Sequence, residues 1–265
     1  MDWNEELLRS NLAGKAIGHK VYYYPETGST NDEAYRLAAA GAPDGTVVIA
    51  DSQSRGKGRM SRIWHSPAGA NIYTSVILRP PLKPAAAPQI SLVVGVAVAE
   101  LLELYCPGRV ELKWPNDVLI AGKKICGILA QMKTAVKDVD FIVVGIGINV
   151  NIGKNEFPGE VKNIATSLSL EMGKEISRLD LIINLYENLA KWYKKLLQNG
   201  FGIIKEKWLE LTPMIGKDVQ VMFLKERICG KAHDIDEDGA LIIITGNNER
   251  LKVSAGDATV IKGNG

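Results

Sequence analysis

The chain has 265 residues, 46% of them hydrophobic and 23% charged, and its 32 basic and 30 acidic side chains leave a formal net charge of +2. That composition excludes a disordered chain and supplies the core of one large domain with a small second one, while the near-balanced charge argues against a wide nucleic-acid-binding surface. The three cysteines (Cys106, Cys126, Cys229) and three histidines (His19, His65, His233) show neither CxxC nor zinc-ligand spacing, which argues against a disulfide framework and against zinc catalysis.

The N-terminal "MDWNEELL" is acidic and lacks the basic start of a signal peptide. The longest apolar segments, such as residues 90–102, are too short or too interrupted to span a bilayer, so a cytoplasmic protein is expected. "VYYY" reads as the first strand. "STNDEAYRLAAAG" follows as a helix with Ala34, Leu37 and Ala38 on one face and Gly41 as its stop, and Thr30 with Glu33 fits a capping box. "GTVVIA" and "NIYTSVILR" are strands on either side of the basic stretch "SQSRGKGRMSRIWHS". "PQISLVVGVAVAELLELY" is apolar enough to be a buried helix. "VELKWP" ends a strand in the turn Trp114-Pro115-Asn116-Asp117, and Gly122-Lys123 is read as a hairpin turn into "CGILAQM". "DFIVVGIGINV" is a buried strand, and "SRLDLIINLYENLAKWYKKLLQNG" a helix opened by the cap-like Ser177 and Asp180 and closed at Asn199-Gly200. Past Thr212 the runs shorten to "KDVQVMF", "RICGKAHDID", "ALIIIT" and "RLKVSAG" between turn-rich "DEDG" and "GNNE", a small β-barrel of about five strands. The expected architecture is α+β, with a first domain over residues 1–212 and an all-β second one over 213–265.

Four fixed cations, Arg55, Lys57, Arg59 and Arg62, share eight positions with Gly56 and Gly58, and Trp64 lies just beyond. No Asp or Glu occurs from Ser52 to Ala99, so nothing nearby in sequence neutralises them. Glycines alternating with cations let a backbone approach an anion while side chains fold around it; a phosphate-binding loop, a nucleic-acid patch and a passive turn all remain open on this pattern. No GxxxxGK[ST] is present, and "GIGIN" lacks the third glycine of a dinucleotide fingerprint. Gly145 and Gly147 either thin one face of a buried strand or make room for a flat ligand. Lys124 heads the apolar "ICGIL", where an unpaired ammonium is costly, and beside Asp117 it suggests anion binding together with a metal or a base.

In this order, "GSTNDEA", "DSQSRGKGRMSRIW", "KWPNDVLIAGKKICGIL" and "VVGIGINVN" resemble the biotin protein ligase (holocarboxylase synthetase) family over about residues 20–150, and the C-terminal β segment resembles its small SH3-like domain. The resemblance implies a mixed sheet flanked by helices, the class II synthetase-like catalytic fold, with an SH3-like β-barrel behind it. It implies ATP-dependent attachment of biotin to a lysine of a biotin carboxyl carrier protein, through biotinyl-5′-AMP, with Mg²⁺ and no redox cofactor. Carried over position by position, it gives biotin contacts to Ser29, Thr30, Asn31, Gln53, Gly56, Lys57, Gly58, Arg59, Lys124, Gly127 and Gly145. It gives adenylate contacts to Arg59, Arg62, Trp64, Asn116, Asp117, Lys124, Gly147 and Asn149, with Trp64 near the adenine. Lys124, Arg59 and Asp117 become the catalytic set and Asp117 the magnesium ligand. The family loop reads Gly-Arg-Gly-Arg, whereas Lys57 here keeps the charge and loses the fork geometry, so weaker loop closure is expected. Some members also carry an N-terminal winged helix-turn-helix; only 28 residues precede Ser29, which points to a monofunctional ligase with no nucleic-acid or membrane partner and, by analogy, a homodimer. A lipoate or octanoate ligase of related fold and a non-catalytic biotin sensor are the rival readings.

Overall fold

The computed structural model describes residues 3–159, 161–223 and 226–261. The outer limits of the two expected segments, residues 1–2 and 262–265, lie outside the described residues. In chain order the main elements are α1 (Glu5–Leu12), β1 (Val21–Thr27), α2 (Thr30–Ala39), β2 (Val47–Gln53), β3 (Ile72–Leu78), α3 (Pro88–Glu103), β4 (Val110–Lys113), β5 (Asp117–Ile120), β6 (Lys123–Ala135) and β7 (Asp138–Ile148). They continue with α4 (Val161–Ile164), α5 (Leu168–Met172), α6 (Arg178–Asn199), α7 (Gly202–Leu211), β8 (Asp218–Phe223), β9 (Glu226–Ile235), β10 (Leu241–Ile244), β11 (Arg250–Val253) and β12 (Asp257–Val260).

Seven strands form one mixed sheet in the order β1-β2-β3-β7-β6-β5-β4, with β1 and β2 parallel and every other pair antiparallel. Successive side chains on a strand point to opposite faces, and β7 shows what that alternation builds. Ile142, Val144, Ile146 and Ile148 join the large core that includes α3 and α6. On the other face Phe141 and Val143 pack with Ala34, Leu37 and Ala38 of α2. Gly145 and Gly147 continue that second face, and there β7 carries no side chains of its own. The absence of Cβ atoms at two consecutive same-face positions makes room for the Asn31 amide and the Trp64 indole, which line a cavity at the N-terminal end of α2.

The expected helices form where the patterns placed them. Ser177 caps α6 by accepting from Asp180 N, and α3 is buried at nearly every position from Gln89 to Leu102. The stretch Pro84–Glu103 does pass a length-and-composition test for a membrane span, unlike the shorter segment considered from sequence, yet here it is largely core. Two local expectations are corrected. Ser29, not Thr30, occupies the N-cap of α2 and makes no side-chain cap bond, and Glu33 pairs with Arg36 instead of closing a capping box. The tight turn before β6 is Ala121-Gly122, at φ of 48° and 76°, one residue earlier than read, because the two-residue hairpin needs both central positions left-handed. α1, capped by Asn4 through Leu7 N, and α7 had no counterpart in the sequence reading.

Thr212 ends α7, and from β8 onward the chain forms a second, antiparallel sheet ordered β11-β10-β9-β8-β12. It docks against the first through specific bonds: Trp114 Nε1 donates to Gly239 O at 3.1 Å and Gln89 Nε2 to Glu237 O at 2.6 Å. This docking brings β12 to the mouth of the cavity.

Candidate active site

The cavity measures about 480 Å³ and lies on the α2 face of the large sheet. Ser29, Thr30, Asn31, Gln53, Lys57, Gly58, Arg59, Arg62, Trp64, Asn116, Asp117, Lys124, Gly127, Gly145, Gly147 and Asn149 all line it. Gly56 does not. A Cβ there would meet Ser66 Oγ at 2.6 Å and Gln53 Nε2 at 3.1 Å, so this glycine lets the loop close on itself, with Trp64 N donating to Gly56 O at 2.9 Å.

Toward α2 the lining is neutral and hydrogen-bonded. Gln53 Oε1 accepts from Thr30 N at 2.9 Å and Thr30 Oγ1 at 3.1 Å, taking the capping place that no side chain of the helix fills. Asn31 Nδ2 donates to Gln131 Oε1 at 2.9 Å, and Ser75, fully buried, sits with its Oγ 2.7 Å from Asn31 Oδ1 and 2.8 Å from Thr30 Oγ1. Ser75 escaped the sequence reading, since nothing in "NIYTSVILR" marks one buried hydroxyl. The space above Gly145 belongs to this network: a Cβ would collide with the Asn31 amide. Gly145 thus admits Asn31, where the sequence had suggested room for a flat ligand.

Two residues further along β7 the lining turns aromatic and cationic. A Cβ on Gly147 would meet Trp64 Nε1 at 2.6 Å and one on Gly127 would meet Trp64 Cζ3 at 2.8 Å, so the indole rests on the glycine floor. Lys124 Nζ stands 5.5 Å from the Trp64 ring centroid and 2.5 Å from Asp117 Oδ1. A β-bulge explains this placement. Val118 pairs with Cys126 but Leu119 with Lys124, so Ile125 and Cys126 are both buried while Lys124 and Gly127 share the cavity face. An unbroken ladder would have put Lys124 and Gly127 on opposite faces.

Arg59 is half-buried, and its Nη1 faces Asn116 Oδ1 at 3.2 Å, Gly256 O at 3.1 Å and Asp257 Oδ1 at 3.0 Å. Burial draws its pKa below the ordinary arginine value, the Asp257 and Asp117 carboxylates oppose that shift, and Arg62 adds to it. Arg62 pairs with the second oxygen of Asp257. Lys57 Nζ meets Asp32 Oδ1 at 2.5 Å in the first turn of α2, tying the loop to the helix. Asn116 is committed on both sides, donating to Ile128 O at 2.7 Å, and Asn149 Nδ2 donates to Thr166 O at 3.0 Å. These two amides hold the walls, and the charged groups on the lining are Lys57, Arg59, Arg62, Lys113, Asp117, Lys124 and Asp257. The remaining wall is apolar, built by Ile152, Phe157, Val161, Ile164 and Ala165, a segment in which the sequence had shown no motif.

A cavity with a neutral hydrogen-bonding part and a cationic part fits a ligand that joins an uncharged polar ring to an acidic group. Asp117 and Asp257 are the two carboxylates among its described lining residues, and no group of three or more His, Cys, Asp or Glu side chains among the described residues forms a metal cage. A divalent ion here would take Asp117 as a single carboxylate and find its other ligands on phosphate and water, the habit of magnesium.

The comparisons agree with this geometry. Residues 24–149 match the biotin/lipoate A/B protein ligase family model and residues 214–260 the biotin protein ligase C-terminal domain model. The chain is 39% identical over 249 residues to the bifunctional ligase/repressor BirA of Bacillus subtilis, covering 94% of this chain and 76% of that one. It is 34% identical over 271 residues to a biotin–[acetyl-CoA-carboxylase] ligase of Mycobacterium tuberculosis, covering 98% and 96%. Among solved structures, a biotin protein ligase from Aquifex aeolicus in complex with biotin and ATP superposes with a TM-score of 0.76 at 30% identity, over 92% of this chain and 99% of the other. With nearly full-length relatives above 30% identity and both family segments matched in order, the chain belongs to the biotin protein ligase family.

Proposed function

We propose that this protein is an ATP-dependent ligase that joins biotin to a lysine of a biotin carboxyl carrier domain by way of biotinyl-5′-AMP. The observation that carries the reading is the Lys124–Asp117 pair beside Arg59, set by the β6 bulge at the cationic part of a cavity whose other part is a neutral amide and hydroxyl network. In the first step a biotin carboxylate oxygen bonds to the α-phosphorus of ATP and the bond to pyrophosphate breaks. In the second, the carrier amine bonds to the acyl carbon, the bond to AMP oxygen breaks and the amine loses its proton.

Each residue has a part that follows from its surroundings. Ser29, Thr30, Asn31 and Gln53 hold the uncharged ring of biotin, and Gly145 gives Asn31 the space to do so. Lys124 lies where its ammonium can hold carboxylate and α-phosphate together, gathering two anions that otherwise repel. Arg59 and Arg62 supply fixed positive charge where oxygen charge accumulates in both steps, and Lys57 and Gly58 complete a loop that keeps water from the mixed anhydride. Trp64 and Gly147 form the floor shared with the adenylate. Asp117 orients Lys124 and is the carboxylate placed to take the amine proton. Asp117 is the side chain that would hold a magnesium ion, which would neutralise phosphate charge when bound with ATP.

The test is biotin-dependent ATP–pyrophosphate exchange on the purified protein, with lipoate and octanoate as controls. Exchange with biotin alone is expected; exchange with lipoate or octanoate would transfer the assignment to the related acyl ligases, and none with any acid despite biotin binding would make the cavity a sensor's. The neutral network gives a second expectation. Ser75→Ala removes the hydroxyl that faces Asn31 Oδ1 and leaves Thr30 Oγ1 with Gln53 Oε1 alone, a penalty of about 1–3 kcal/mol. Calorimetric biotin affinity should fall about tenfold or more. An unchanged affinity would mean that Ser75 does not organise the biotin end.

A further inference from the structure

Arg59 and Arg62 carry like charges on a loop with no acidic residue of its own, and the fold supplies the counter-charge from 198 residues away. The two oxygens of Asp257, the first residue of β12, are divided between them: one accepts from Arg59 Nη1 at 3.0 Å and the other faces Arg62 Nη2. Arg59 is held by that one nitrogen, against Asp257, Gly256 O and Asn116 Oδ1, and no acceptor among the described residues engages its Nε or Nη2. Its remaining donors are left for the cavity that Arg59 lines. Between the two arginines, Met60 and Ser61 lie at φ of 53° and 59°. Such left-handed non-glycine conformations are unfavourable and persist only where surrounding contacts enforce them. The bridge to Asp257 spans this turn.

We propose that Asp257 is a positioning residue for adenylation: one carboxylate of the C-terminal sheet bridges Arg59 and Arg62, seats their loop at the cavity and turns the free donors of Arg59 toward the nucleotide phosphates. The proposal rests on the ligase reading for its last clause only. Loop seating is a property of the protein without substrate and is tested separately.

The loop holds four trypsin sites, Arg55, Lys57, Arg59 and Arg62, so limited trypsin digestion of the ligand-free, full-length protein reads its tethering directly. Asp257→Asn keeps size and removes charge. It should speed cleavage after Arg59 at least threefold with an unchanged melting temperature, and Asp257→Glu should restore most of the protection. In steady state Asp257→Asn should raise KM for ATP about tenfold while KM for biotin moves less than twofold, because a misplaced clamp is felt where the phosphates bind. Arg62→Gln removes the other side of the bridge, and its effect on cleavage after Arg59 should not add to that of Asp257→Asn. Cleavage and KM for ATP both within twofold of the parent, or fully additive effects of the two substitutions, would overturn the proposal. If Asp257→Asn does not fold, Arg62→Gln with unaltered cleavage after Arg59 overturns it alone. If the parent protein supports no pyrophosphate exchange, the ligase reading fails while the digestion still decides the tether.

Discussion

Lys124→Ala is expected to lower biotin-dependent pyrophosphate exchange by about 10²–10³-fold, the usual loss when one preorganised donor to a developing charge is removed. The side chain is hemmed in: a Cβ on Gly127 would meet its Cε at 3.2 Å, the Trp64 ring centroid is 5.5 Å from Nζ, and Asp117 Oδ1 lies 2.5 Å from Nζ as its ion-pair partner. With the stem so confined, the ammonium is aimed before substrate arrives, and its loss leaves Asp117 as an uncompensated carboxylate beside two incoming anions. The folded state should hardly change, because the pair is about a third exposed on the lysine side and such pairs contribute about 0–1 kcal/mol. Lys124→Met retains the stem and should be as inactive as alanine, which assigns the loss to charge. Lys124→Arg should recover only part of the rate, since a planar fork does not fit the slot between Gly127 and Trp64 as a point charge does. Exchange should be measured at saturating biotin, with biotin affinity followed by calorimetry, to separate chemistry from binding. An alanine variant within threefold of the parent would remove Lys124 from the mechanism.

What could be seen in the sequence, and what could not, follows from the range of the interactions concerned. The alternation in "DFIVVGIGINV" and the cap at Ser177 are local, and both elements formed where those signals lay. The charge density of residues 55–62 and the exposed demand of Lys124 for a partner were also local facts, and both pointed at the cavity that contains them. The function of individual glycines was not local. Gly56, Gly145 and Gly147 look alike in sequence, but the first packs against Ser66, the second against Asn31 and the third under Trp64, according to which distant chain passes over each. The bulge at β6 has no residue signature, although it alone decides which way Lys124 points. Ser75 and Asp257 were invisible for the same reason: each acquires its importance from a residue 44 or more positions away. The capping-box reading failed because Gln53, on another strand, provides the acceptor that a local box would have provided.

The largest effect on stability should come from a residue outside the cavity, Arg178→Ala, which is expected to destabilise the protein by about 3–5 kcal/mol. Arg178 opens α6 with its side chain 1% exposed, donates from Nη1 to Asp51 Oδ1 at 2.8 Å and to Asn71 O at 3.2 Å, and lies 4.5 Å from the Trp3 ring centroid. Asp51 sits near the end of β2, immediately before the basic loop, and its other oxygen accepts from Gly69 N at 3.0 Å, just after that loop. One buried ion pair therefore fastens both ends of the segment that carries Arg59 and Arg62 to the start of a core helix. Alanine would leave the Asp51 carboxylate buried with the Gly69 N–H donating to it and a void beside Trp3, and a charge stripped of its partner is far costlier than a pair that never formed. The melting temperature should fall by roughly 6–20 °C for a chain of this size. Combining Arg178→Met with Asp51→Asn removes both charges together and should cost less than the sum of the single changes, as expected for groups that interact directly. Strict additivity in that cycle would show that Arg178 is held in place by its packing and that its charge fastens nothing.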